Sequence, residues 1–545
     1  MRIAIDLQGV QSEGSRNRGI GRYSRDFIKS FINQNIDYDY ILVANASLKN
    51  VSDDFSNELK KQNVYYYQWY TPTPLDYISN KDYLSKIAIN LRTYALNRLH
   101  CDLVLITSYL EGFADNAFTS IDSKILNTKV VAIFYDLIPL LNPNLYLKDN
   151  KVFDQFYKLK LNEIKNLNGL LAISNSAAEE AKQFLSFDKD LVFNISSACD
   201  QKLFNLCSYE CDSDRINSLD EQFILYTGAG DPRKNLRGLL EAYSKLSWDL
   251  LIKHKLVIAG TLLEPEVAQI YKWIDFFGIE FNNVIILGFV TDQEIIGLYK
   301  KCRLFVFPSF HEGFGLPVLE AMSCGAPVIS SNNTSLPELI GSDIAMFNPE
   351  DPESIKNLIE KALLDYKYRE ALIQNSLHQR QLFSWNKVAY LANQSLKVIC
   401  EDNTKNTSIS WHEIQELNKK LYLDLIKDLQ HYKAKSRHIN KDLVQKIASS
   451  LDLINIESDN ILRLLNLDTD LCNIRVEGPF DSNYSLSILN RCFAEAISES
   501  NLDISIHITE GYGDYKPNLE FVKTHPKLYD LYSNSSESIR NLDIL

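Results

Sequence analysis

The chain has 545 residues, with 57 basic against 70 acidic side chains and a net charge of −13. At 45% hydrophobic and 23% charged residues it is too apolar for disorder, and long enough to bury several cores without disulfide or metal staples. The acidic balance excludes a general nucleic-acid coat, which needs surplus Lys and Arg against phosphate. It leaves room for a small anionic ligand in a local cationic pocket.

Met1–Val10 (MRIAIDLQGV) carries too short an apolar run for a signal peptide and enters a strand pattern at once. No stretch approaches the ~20 apolar residues that span a bilayer. The nine cysteines form no CxxC pair, as expected of reduced thiols in a cytoplasmic protein.

RIAIDLQ, YDYILVA, CDLVLIT, KVVAIFYDLIP and LNGLLAIS read as buried strands, with helical patterns between several of them. SAAEEAKQFL reads as a helix capped by Ser174 or Ser176. Residues 1–205 therefore form a parallel α/β domain. A polar, turn-rich stretch follows, and the pattern restarts with the strand QFILYTGA. Strands HKLVIAG, NVIILGFV, RLFVFPS and APVISSN then alternate with helices LRGLLEAYSKL, PEVAQIYKWIDFFG, QEIIGLYKKC and LPVLEAMSCG. These make a second α/β domain over 215–380. Two doubly wound domains in series predict a ligand cleft between facing strand ends. Residues 401–468 read as a helical linker. CNIRVEG, a helix, and DISIHITEG then repeat the order of the opening, so 469–545 reads as the start of a third α/β unit.

The chemistry sits in a few segments. SFHEGFGLPVLEAMSCGAPVI (309–329) places Glu312 and Glu320 with seven residues between them, bracketing Gly313 and Gly315. Glycine lets backbone approach a ligand, and the free N–H groups of a helix start suit phosphate. A carboxylate on that helix suits a ribose. GAGDPRKN (228–235) puts Arg233 and Lys234 at the start of a helix, where cations oppose the macrodipole unless an anion binds. Two fixed cations there suit a departing diphosphate, in place of a metal ion. RGIGRYSRDF (18–27) supplies Gly19, Gly21 and Tyr23, too far behind the first strand for a dinucleotide loop. In FYDLIP (134–139), Tyr135 and Asp136 end a strand.

Together these segments resemble the retaining glycosyltransferases of family 4, with the GT-B fold, over roughly residues 1–400. The most specific part is the Glu, seven residues, Glu signature, supported by GAGDPRKN, by IDLQG with GIGRY, and by FSW at 383–385. GIGRY and DLIP are similar to segments of bacterial polysaccharide mannosyltransferases. The resemblance implies two Rossmann-like domains, acceptor side first and nucleotide-sugar side second, with 381–400 as a crossover helix. It implies that Arg233 and Lys234 bind the donor diphosphate, that Glu320 holds the ribose, and that Glu312 faces the donor sugar. Backbone around Gly315 and Leu316 would touch phosphate, Val290 would lie near the base, and Gly19 and Gly21 would let the first loop approach. Tyr135 and Asp136 join Glu312 as the catalytic set. Many relatives carry His where Tyr135 stands, and Tyr is no base at neutral pH, so a positioning role replaces acid–base work there.

The implied activity is metal-independent, retaining transfer of a hexose, with mannose from GDP-mannose the leading donor. The acceptor would be a growing surface polysaccharide or lipid-linked glycan, with peripheral contact at the inner face of a membrane left open. No cofactor and no nucleic-acid partner are implied. UDP-glucose or a deoxyhexose nucleotide are the alternative donors. A metal-dependent GT-A reading would use an Asp-x-Asp pair; Asp37/Asp39, Asp212/Asp214 and Asp468/Asp470 occur, but none closes a buried strand pattern. His311 reads as a loop or pocket-rim side chain rather than a metal ligand. An assembly subunit with a vestigial pocket is the non-enzymatic alternative, disfavoured by the intact Arg233, Lys234, Glu312 and Glu320 set. The last 75 or so residues fall well short of the ~150 of an α/β domain. The expectation is a shortened form or incomplete reading frame of a longer, multi-catalytic polymer-building enzyme.

Overall fold

A computed structural model describes residues 1–401, apart from 71–73, 79–81, 123–125, 127, 208–212, 220–221 and 229, together with strands at 474–478 and 504–508. The chain divides into two compact units, Met1–Leu421 and Tyr422–Leu545. The described residues of the first unit build two parallel sheets.

The first sheet takes β1 (Arg2–Asp6), β2 (Asp39–Asn45), β3 (Val64–Trp69), β4 (Leu103–Ile106), β5 (Lys129–Phe134), β6 (Gly169–Ala172) and β7 (Val192–Asn194). Their order is β3-β2-β1-β4-β5-β6-β7. The second takes β8 (Ile224–Thr227), β9 (Leu256–Ala259), β10 (Val284–Gly288), β11 (Leu304–Phe307), β12 (Val328–Ser331) and β13 (Met346–Phe347), ordered β10-β9-β8-β11-β12-β13. Inner strands such as Leu103–Ile106 and Leu304–Phe307 are buried along their whole length, because helices cover both faces. That double burial explains their unbroken aliphatic runs. Each sheet reverses direction once, between β1 and β4 and between β8 and β11. Ligands bind outside the carboxyl ends of strands at such a reversal. The reversals therefore mark where the sites belong.

Three strands lie outside the sequence reading. Val64–Trp69 is an edge strand carrying Tyr65, Tyr66 and Tyr67 rather than an aliphatic run, and Val192–Asn194 and Met346–Phe347 are too short for a pattern. Of the two proposed caps, Ser174 is the one used, accepting from the Ala177 N–H at 2.9 Å.

The helix Trp385–Glu401 returns to the first sheet's side and packs on the helix Gly19–Gln34. Trp385 meets the Tyr23 ring edge-on at 5.1 Å, and Tyr38 donates to Asn393 at 2.8 Å. Lys129 Nζ donates to the carbonyls of Ile399 and Cys400 at 2.7 and 2.9 Å, a cation at a helix C-terminus. Gly169 allows the approach, since a Cβ there would lie 2.4 Å from Ile399 Cδ1.

In the second unit, β14 (Ile474–Gly478) and β15 (Ile504–Ile508) pair in parallel, Ile474 opposite Ile504. The rest of the expected linker and third α/β unit lies outside the described residues.

Candidate active site

The loops at the second sheet's reversal carry opposite charges that meet. After β8, Asp231 caps a short 3-10 turn, accepting from the Arg233 N–H, and so fixes Arg233 and Lys234 at the strand end. Asn235 takes a left-handed φ of 54° and caps the next helix by accepting from Gly238 N at 3.1 Å. After β11, Ser309, His311 and Glu312 lead into the helix Leu316–Ser323, whose N-cap Gly315 has φ 101°. A side chain at Gly315 would be strained and would meet Leu336 at 2.7 Å.

Glu312 Oε1 receives Lys234 Nζ at 2.6 Å, Arg233 Nη1 at 2.9 Å and the Ser309 hydroxyl at 2.5 Å. Burial works to raise the Glu312 carboxyl, but the Lys234 and Arg233 cations outweigh it and hold it below the ordinary value. Burial, followed by repulsion from Arg233, pushes Lys234 down against the pull of Glu312. Arg233 also donates to the His311 carbonyl at 2.6 Å. The result is a nearly buried, pre-formed pair of cations held by one carboxylate.

The first domain faces this cluster directly. A Cβ on Gly313 would lie 2.6 Å from the Tyr135 carbonyl and 3.0 Å from Asp136 Oδ2, so only glycine lets these loops touch. Ser174 donates to the Gly313 carbonyl at 2.6 Å, and Tyr146 donates to Asp231 at 2.8 Å. His311 Nε2 pairs with Glu180 Oε1 at 2.7 Å, while Glu180 Oε2 accepts from Leu137 N at 2.7 Å. Arg22 reaches Asp292 at 2.7 Å. Gly19 and Leu316, each the first residue of its helix, lie opposite, a Cβ on Gly19 falling 3.7 Å from Leu316 Cδ1. Two helix N-termini thus converge on the cleft, which favours an anion.

Glu320 lies one turn inside its helix, with the Tyr299 hydroxyl 3.4 Å from Oε2. Burial pushes its carboxyl up to about 7, with Arg22 opposing and Asp292 adding to the shift. Burial pushes Asp136 up to about 6, against a hydrogen bond from Ile138 N and with help from Glu180. Tyr135 gives its hydroxyl proton to the Thr107 carbonyl at 3.0 Å and sits 3.1 Å from Ser24 Oγ. Its oxygen is engaged with its own domain, and burial raises it well above the ordinary tyrosine value. Gly21 is required by the first loop itself, a Cβ there lying 2.4 Å from the Ser15 carbonyl. Val290 is a half-buried apolar side chain after β10, on a loop that Arg215 holds through the Phe289 carbonyl at 2.8 Å.

Geometry therefore brings together Arg233, Lys234, Glu312, Gly313, Tyr135 and Asp136, with Gly19 opposite Leu316. Asp37 and Asp39 lie at the amino end of β2, away from the cleft, and Asp214 opens a four-residue helix. The partners Asp212, Asp468 and Asp470 lie outside the described residues. His311 lies on a loop, as expected, but not at a rim: it is buried and joins the two domains. The sequence reading missed Asp231, Glu180, Tyr146 and Ser309. Asp231, before Pro232 and the two cations, carries a cap signal; Glu180 lies in an ordinary amphipathic helix and carries none.

Residues 212–379 match the family described as glycosyl transferases group 1. The chain is 32% identical over 261 residues to O-antigen chain mannosyltransferase B of Escherichia coli, covering 47% of this chain and 67% of that protein. The chain belongs to the group 1 glycosyl transferases. It is also 38% identical over 403 residues to the serotype-specific mannosyltransferase WbdA of Escherichia coli, 72% of this chain and 47% of the relative. It thus spans about half the length of the WbdA proteins it matches. HepE of Anabaena, solved with UDP and glucose, aligns with a TM-score of 0.53 at 18% identity, over 73% of this chain and 100% of its own. Sucrose-phosphate synthase of Thermosynechococcus elongatus aligns at 0.54 and 18%, over 73% and 99%. The fold is GT-B, two Rossmann-like domains facing one cleft. No helix among the described residues is long and apolar enough to cross a membrane.

Proposed function

We propose that this chain transfers a mannosyl residue from GDP-mannose, with retention of configuration, onto a growing bacterial surface polysaccharide. One observation carries the reading: Arg233 and Lys234 are clustered on Glu312 beside the start of the helix Leu316–Ser323, opposite the Tyr135–Asp136 turn. Similarity to mannosyltransferases of O-antigen synthesis supports the sugar and the acceptor class.

The chemistry follows from charge. Loss of a nucleoside diphosphate builds negative charge on phosphate and positive character at the sugar carbon. Arg233, Lys234 and the helix N–H groups stabilise the first in a water-poor site, where such groups act most strongly. Glu312 keeps both cations aimed before the donor arrives, so little reorganisation is left for the reaction. Glu320, one turn along, would accept from ribose hydroxyls. Tyr135 positions the turn through Thr107 and Ser24, leaving Asp136 to meet a sugar hydroxyl. The departing phosphate can take the acceptor proton on the same face, so the reading needs no protein base and no resident cofactor.

The test is a donor panel of GDP-mannose, UDP-glucose and a deoxyhexose nucleotide, read by nucleotide release and by linkage analysis of the product. Release from GDP-mannose with an α-linked product is expected. Release from another donor moves the assignment, and release from none defeats it.

A further inference from the structure

Beside the cleft, outside the charged cluster, the second domain holds a cavity of about 850 Å³ between the helices Leu236–Ser244 and Glu264–Phe276 and the start of Pro352–Leu364. That volume falls within the ~300–1,000 Å³ of small-ligand clefts. Its walls include two aromatic rings, the half-buried Trp273 and the Phe310 ring, which is 38% exposed. Its polar lining includes Arg237, Gln269, Glu241 and Glu350. We propose that this cavity holds the neutral, already polymerised arm of the acceptor glycan while its end lies in the cleft.

Three features argue for that ligand class. Flat aromatic faces beside mixed donors and acceptors suit a sugar ring, which has apolar C–H faces and a rim of hydroxyls that both give and accept. Charge disfavours the main competitor: among the described lining residues one cation, Arg237, stands beside Asp231, Glu241, Glu266 and Glu350, and even with Arg233 paired to Asp231 and Lys245 to Glu241 the surroundings stay net acidic against a phosphorylated ligand. Position supplies continuity, because Asp231 and Phe310 belong to both places. Asp231 accepts from Arg233 and from Tyr146 of the other domain, and Phe310 N donates to the Arg233 carbonyl at 2.8 Å. The cavity therefore borders the cleft at Asp231 and Phe310.

The inference rests on the proposed glycan acceptor, so its test has two arms. In the binding arm, saturation-transfer NMR with α-mannotetraose and saturating GDP should show contacts along the native chain's ligand, with those of the rings distant from its acceptor end lost in Trp273→Ala and in the exposed Glu350→Lys. In the kinetic arm, both variants should raise the KM for long oligomannoside acceptors about tenfold and leave the donor KM and the KM for a disaccharide acceptor unchanged. Contacts of the distant rings that persist in both variants, or an equal change for long and short acceptors, overturn the cavity assignment. A chain that releases nucleotide from no donor defeats the proposed function instead, and the binding arm still reports on the cavity.

Discussion

At the carboxyl end of the first sheet stand carboxylates and hydroxyls; at the same end of the second, two cations stand among carboxylates. Glu111 there accepts from Ser15 at 2.5 Å and Ser108 at 2.7 Å, Asp136 lies in the turn after β5, and Glu180 accepts from Leu137 N of that turn. Opposite, Arg233 and Lys234 share Glu312. Both domains are doubly wound parallel sheets, so the scaffold decides only where a site lies, and the loops at each reversal decide what it binds. The contrast also ties the halves together. Glu180 with His311, Tyr146 with Asp231, and Arg22 with Asp292 each join one domain to the other.

The sharpest break in this comparison is at the cationic side. Lys234→Ala should lower kcat by about 10²–10³, the size seen when one donor to a developing anion is removed. Breaking a buried pair also costs about 3–5 kcal/mol, so a thermal melt must accompany the assay. Full activity in this variant would remove Lys234 from the chemistry.

On the acidic side the expected effect is smaller. Glu180→Gln keeps an acceptor for Leu137 N but loses the charge facing His311. It should lower kcat/KM about tenfold, near the value of one charge-assisted hydrogen bond. Nucleotide release without acceptor should change less, because Arg233, Lys234 and Glu312 are untouched.

Glu320 gives a pH test in the second domain. Its folded value of about 7 lies above the ordinary carboxylate value, so the neutral form favours the fold. Its contribution is full below the unfolded value near 4.3 and is lost as pH rises through about 7. Glu320→Gln should therefore gain stability relative to the native chain on going from about pH 5 to 8, read as a difference in Tm. Parallel pH profiles for the two proteins would contradict it. The smallest effect belongs to Arg22→Ala. The Arg22–Asp292 pair is half exposed on both sides, so stability should change by less than about 1 kcal/mol and donor KM by a few-fold at most.

Much of the fold was legible because buried parallel strands announce themselves as aliphatic runs. β1, β4, β5 and β6, and β8 to β12, fall within the runs read from sequence, and β2 overruns its run by one residue, Asn45. β3 was not legible because its tyrosines suit an edge with one open face. At the site, Arg233, Lys234, Glu312 and the glycines were readable because each breaks a local rule: cations at a helix start, glycine at a left-handed cap. Glu180 and His311 break none. Their meaning comes from a partner 131 residues away in the chain.

The amino-acid sequence by itself determined two α/β halves, the Gly-rich helix start at Gly315 and the cation pair beside it, because period, caps and glycine demands are local. Tertiary structure alone decided that one oxygen of Glu312 binds both cations, that Tyr135 spends its hydroxyl within its own domain, and that Glu180 holds His311. Those outcomes depend on which loops meet across the cleft, and on burial that no single segment carries in its own sequence.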